Sequence, residues 1–121
     1  MKVTYIELLG KHHPLCFSLA ASEKLDEIFG GLECMQEELA CGEVHRVAKA
    51  ADTILQVLMH AGRIYLSACG EPLPDPIPCR PADLIDITDK ASISAIWSAI
   101  KNDTAQEVQT EQKNAEATQG L

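Results

Sequence analysis

The chain has 121 residues, enough to bury one modest hydrophobic core and too few for two. Its net charge of −8 argues against sequence-independent binding to nucleic acid or to an anionic membrane surface, which leaves protein as the expected partner. Its five rings (Tyr5, Phe17, Phe29, Tyr65 and Trp97) are too few to dominate a core. Leu, Ile, Val and Ala must fill it, which suits helix packed on helix.

The start, MKVTYIELLGKHHPL, has no long uncharged apolar run and no small-residue cleavage site. No later run is long enough to span a bilayer, so a cytosolic protein is expected. Val3 to Leu9 is rich in β-formers, Gly10–Lys11 reads as a turn, and Leu15–Cys16–Phe17 can return as a second strand. Pro14 cannot donate to a ladder and so belongs on an edge or at the strand start. The expectation is a hairpin over residues 3–17 with one apolar face turned to the helices.

Ser18 is a suitable N-cap for a helix over 19–29 with Ala21, Leu25, Ile28 and Phe29 on one face. Gly30–Gly31 ends it. Leu32, Met35 and Leu39 define a second helix over 32–40, closed by Gly42. The third, over 43–69, is the centre of the molecule. Val44, Val47, Ala48, Ala51, Ile54, Leu55, Leu58, Met59, Gly62, Tyr65, Leu66 and Cys69 share one stripe on a 3.6-residue period. Asp52, Gln56, His60 and Arg63 avoid it. Val57 and Ile64 lie off that stripe, flanked by Ala50, Ala61 and Ala68. The apolar surface therefore extends round more than half of the cylinder, and its second side must be covered by the chain itself or offered to a partner.

Past Gly70, five prolines fall in the run EPLPDPIPCRP. That run excludes helix and central strand and predicts a stiff extended strap over 71–81. Pro81 fits the first turn of a short helix over 82–87. Thr88–Asp89 can cap a last helix over 89–101, with Ile93, Ile96, Trp97 and Ile100 on one side. Residues 102–121 offer almost nothing to bury and are expected to be a flexible polar tail after a globular domain of residues 1–101. The fold class expected is α+β, mainly α: a short N-terminal β-hairpin packed on a small helical bundle built around one long central helix.

No Gly-rich phosphate loop, nucleophile elbow or helical two-His zinc signature is present in the sequence. Glu37–Glu38, Asp75 and Asp83–Asp86 are scattered acids that read as solvated surface. His12 and His13 with Cys16, and Cys41 with His45, have weak metal-ligand spacing without a CxxC. The five cysteines (Cys16, Cys34, Cys41, Cys69, Cys79) lack paired spacing and read as free thiols, Cys34 or Cys41 being exposed. No catalysis, cofactor or metal is expected. A thiol- or metal-responsive regulator is the weakest of the readings these residues allow.

The order of features in the first half of the chain, IELLGKHHPLCFSLAASEKLDEIFGGLECMQEEL, resembles the tail assembly chaperones of long-tailed bacteriophages and related gene transfer agents. A strand ending in Gly10–Lys11 leads to Phe17, then to a helix with Ala21 near its start. That helix ends in Phe29–Gly30, with Leu32 soon after. The central helix matches in kind; the proline strap and Trp97 belong to no shared pattern. The resemblance implies a cytoplasmic protein of the bacterial host that binds the tape measure protein and keeps it soluble while tail tube subunits polymerise, with the tail tube protein a second partner. It also implies a longer frameshifted product continuing past the polar tail. Partner-binding residues are sought on the Val57–Ile64 flank and on Ile93, Ile96, Trp97 and Ile100. The alternative is a small structural phage component or helical adaptor that forms homo-oligomers.

Overall fold

The computed structural model describes residues 3–86 and 91–100. The chain runs from a two-stranded antiparallel hairpin, β1 (Thr4–Leu8) and β2 (Lys11–Leu15), into helices α1 (Leu19–Phe29), α2 (Leu32–Ala40) and α3 (Val44–Ala68). The strap follows without regular structure, ends in a single 3₁₀ turn, Pro81–Asp83, and residues 91–100 are helical (α4). The architecture is the expected one, α+β and mainly helical, with the long third helix at its centre. The expected cap Thr88–Asp89, the ends of the last helix and the polar tail lie outside the described residues. The short helix foreseen over 82–87 contracts to the 3₁₀ turn.

The second strand lies earlier than the composition suggests. Leu9 and Gly10 both have positive φ, 53° and 75°, as a two-residue type I′ turn requires. The chain therefore turns back at Lys11, and the register runs Leu8↔Lys11, Glu7↔His12, Ile6↔His13, Tyr5↔Pro14, Thr4↔Leu15. In such a hairpin the closing pair Leu8/Lys11 exchanges hydrogen bonds. By alternation Tyr5/Pro14 is a pair that does not, so Pro14 sits inside the strand without breaking the ladder. A left-handed backbone costs a non-glycine residue about 1–2 kcal/mol, and Asn tolerates it better than Leu. Leu9→Asn at this exposed position is therefore expected to raise unfolding stability by about 1 kcal/mol in urea titration.

The hairpin presses Ile6, Leu8, His13 and Leu15 against α3, where Ile54, Leu55 and Leu58 are fully buried. Ala21 and Leu25 of α1, Met35 of α2 and Ile96, Ala99 and Ile100 of α4 complete the core. α1 starts as expected, with the Ser18 hydroxyl accepting from the Ala21 N–H at 3.1 Å. Several residues expected on packed faces are exposed: Ile28, Leu32 and Val44, and Cys69 at the far end of α3. The buried residues of α3 run from Ala50 to Leu66, so its first turns and its last residues outrun the elements that cover it. α2 is tied to α3 by a two-bonded pair, Arg46 Nε to Glu38 Oε2 at 3.0 Å and Nη2 to Oε1 at 2.8 Å.

Two features of α3 concern its backbone and its one buried acid. Gly62 is buried, and a Cβ placed on it would fall onto the carbonyl group of Pro14 and lie 3.0 Å from the Leu15 nitrogen. Through that gap the Cys16 N–H reaches the Leu58 carbonyl, 3.1 Å away. Asp52, expected on the solvent side, is only 8% exposed. Its carboxylate accepts from the Ala82 N–H at 2.9 Å and from Gln56 Nε2 at 2.7 Å.

His13 is buried, and its Nδ1 is the one fully buried side-chain polar atom without a hydrogen-bond partner among the described residues. Desolvation drives its pKa below the ordinary 6.5, against an opposing hydrogen bond with the Leu8 backbone, and Arg63 and Lys11 add positive charge nearby. The folded protein holds His13 neutral while the unfolded chain takes up the proton. Its contribution is thus complete above about pH 6.5 and is lost as pH falls toward the lower folded-state value. Glu38, held below its ordinary 4.5 chiefly by its hydrogen bond to Arg46, acts in the same sense in a more acid window. Urea titrations across pH 7.5 to 5.5 are expected to show stability falling with pH in the native chain and a flatter profile in His13→Leu.

Candidate protein-docking groove

Among the described residues lies an open groove of about 1090 Å³. Its floor is the second side of α3, with Val57, Ala61, Ile64 and Ala68 in line. α1 forms one wall through Ala20, Ala21 and Lys24, and the end of the strap forms the other through Ile77, Cys79 and Pro81. The chain's own packing thus covers one side of the cylinder and leaves the other as this floor. Ile64 is 58% exposed, while Val57 and Ile77 are partly buried against the core.

The strap is held in place as a wall by three links along its length. Arg63 Nη1 donates to the Pro74 carbonyl at 2.8 Å. Lys11 Nζ pairs with Asp75 Oδ2 at 3.3 Å. Asp52 receives the Ala82 N–H. Arg63 and Asp52 are eleven residues apart on α3, about 16 Å along its axis, so these two fasten the strap antiparallel to the helix.

Polar groups ring this apolar floor with one sign of charge. Lys24, Arg63 and Arg80 line the groove together with His60, and no Asp or Glu does, although acids make up 18 of the 121 residues. Two acids flank the strap wall in sequence: Asp75, paired with Lys11, and Asp83, whose ion pair with Arg80 is loose, 3.8 Å between two well-exposed side chains.

The six residues expected to bind a partner divide. Val57 and Ile64 line the groove. Ile96 and Ile100 are buried within the core, so the α4 face is a lid on the protein's own interior and not a surface for a partner. Ile93 packs partly buried against the same core. Trp97 is partly buried, one position round the helix from Ile96, and interacts within the fold. None of the four lines the groove. The sequence reading missed Ile77 and the basic rim, because a strap residue and three cations from separate elements share no period. The signal available was Ile77 itself, a large apolar residue between two prolines that would have no reason to be there on a solvated linker.

Other surfaces offer less. Leu19, Ile28 and Leu32 are exposed along α1 and the start of α2, Leu19 to 89%. None of the five cysteines forms a disulfide; Cys16 is buried and Cys34, Cys69 and Cys79 are exposed, while Cys41 Sγ donates to the Glu38 carbonyl at 3.2 Å. His12 and His13 point to opposite faces of β2, one exposed and one buried. Among the described residues no group of three or more His, Cys, Asp or Glu is placed to hold a metal ion, and no helix is long and apolar enough to cross a membrane. Compared with known protein families, with curated proteins and with solved structures, the chain matches none.

Proposed function

We propose that the chain is a tail assembly chaperone of the kind made for long-tailed phages: it binds the tape measure protein in the host cytoplasm and keeps it soluble while the tail tube polymerises. The observation that carries the reading is the open apolar groove on α3, with Ile64 in solvent on a protein of net charge −8. A holdase needs a contiguous apolar surface for its client and enough like charge to stay dispersed itself. The order of the N-terminal features supplies the phage context. No catalytic step and no cofactor enter the role; the work is the covering of apolar helix.

Co-expression with a tape measure protein of a long-tailed phage tests it. The client is expected in the soluble fraction with the native chain and in the pellet with Ile64→Asp. A client equally soluble without the chain overturns the reading.

A second reading, a helical adaptor acting through homo-oligomers, is favoured by the exposed Leu19 and Leu32, which line a recess between α1 and α2 away from the groove. It requires self-association that Leu19→Lys abolishes, read by sedimentation.

A further inference from the structure

We infer that the groove accepts the apolar face of an α-helix from another polypeptide, flanked on that helix by acidic residues. The inference rests on the proposed function only in taking this groove as a protein-binding surface; the charge and form of the guest are read from the groove itself.

The floor residues Val57, Ala61, Ile64 and Ala68 span eleven positions of α3, about 16 Å. That length matches three turns of a guest helix laid alongside. Alanines at Ala20, Ala61 and Ala68 keep the walls low, so that a helix can approach to the 8–10 Å usual between packed axes.

The rim then selects by charge. Lys24 stands on α1, Arg63 on α3 and Arg80 on the strap, with no acid among the lining residues. Each side of the groove thus carries a cation facing where the flank of a guest helix would lie. Arg63 commits Nη1 to Pro74 and Arg80 is loosely paired with Asp83, yet the floor between them is apolar, and a docked helix would exclude water from it. Carboxylates on the guest gain there, and ammonium or guanidinium groups are repelled.

Two other occupants fit less well. Residues 101–121 contain Val108 and Leu121 as their large apolar side chains, too few to cover the floor. A second copy docked groove to groove about a two-fold axis would set Lys24, Arg63 and Arg80 against their own equivalents.

The test uses the full-length chain and two synthetic 20-residue helical peptides with the same Leu/Ile stripe, one flanked by Glu and the other by Lys. Fluorescence anisotropy is expected to show the Glu-flanked peptide binding about ten-fold more tightly, with the preference shrinking in high salt. Methyl NMR shifts should fall on Val57, Ile64 and Ile77. Lys24→Glu, at an exposed position of α1, should reduce the preference about three-fold, and Ile64→Asp should abolish binding of both peptides.

Equal affinity for the two peptides overturns the inference, as do shifts confined to Leu19 and Leu32. Self-association through the groove that excludes both peptides assigns it to a second copy and overturns it too. So do groove methyls that shift when residues 102–121 are removed, which would assign it to the chain's own tail. Equal affinity leaves the chaperone reading standing, because co-expression reads client solubility whatever its charge. A client that needs no chaperone leaves the peptide ratio standing.

Discussion

Gly62→Ala is expected to destabilise the protein by about 3 kcal/mol, against the gain of roughly 1 kcal/mol that the same change gives in an ordinary helix interior. The reversal of sign is the test. A Cβ at this position would occupy the space of the Pro14 carbonyl group, and the obstruction is backbone, which cannot swing aside as a side chain can. The hairpin must back off α3. In doing so it loses the Cys16 N–H to Leu58 carbonyl bond and loosens the burial of Leu15 and Ile6 beneath it. Urea titration followed by circular dichroism measures the loss. Ser67→Ala, on the exposed side of the same helix, should move stability by less than about 0.5 kcal/mol. A Gly62→Ala protein as stable as the parent would mean that the strand does not lie this close.

Asp52→Ala is expected to cost about 2 kcal/mol and to free the far end of the strap. The substitution leaves the half-buried Ala82 N–H without its acceptor, while Gln56, which is exposed, can turn to water. Asp52→Asn should lose less, because its carbonyl can still accept from Ala82 while Gln56 turns its own oxygen toward the new amide. Hydrogen exchange separates this from a general loss of stability. The Ala82 amide should lose protection more than the amides of Leu55 and Leu58, which report global opening. Loss of protection spread evenly over all three would assign Asp52 no particular part in holding the strap.

Asp52 also marks where reading from the sequence stopped. Periodicity sorts side chains by hydropathy alone, so an aspartate beside the stripe is assigned to solvent. Its reason for being buried is a main-chain donor thirty positions later, and a backbone N–H leaves no trace in residue type. The stripe itself was legible because helical burial is a matter of phase: Ala51, Ile54, Leu55, Leu58, Met59, Gly62 and Leu66 are all buried. Ser18 as a cap and the proline strap were legible for a similar reason, each following from local chemistry.

The hairpin register was legible in part. Leu9–Gly10 lacks the Asn–Gly or Asp–Gly signature of its turn type, so the return strand was set too late, although Pro14 does lie on an edge strand, as both strands of this sheet are. Within α4, hydropathy put Ile96, Ile100 and Trp97 on one side, but it cannot say which way that side faces. The two isoleucines went inward. At the groove, Val57 and Ile64 were legible as apolar residues out of phase with the core. The basic rim was not, because it is assembled in space from α1, α3 and the strap.

The prolines of the strap have a consequence for how a guest is received. Each pyrrolidine ring fixes its φ near −65° and restricts the residue before it. With Pro72, Pro74, Pro76 and Pro78 alternating along the strap that leads into the wall, much of the freedom such a segment would surrender on ordering is already absent in the unfolded chain. Three fasteners therefore suffice to keep the far bank standing while the channel is vacant. A helix of the kind proposed would meet a berth already shaped, so its residence would be set by what it touches and not by the labour of building the place where it lands.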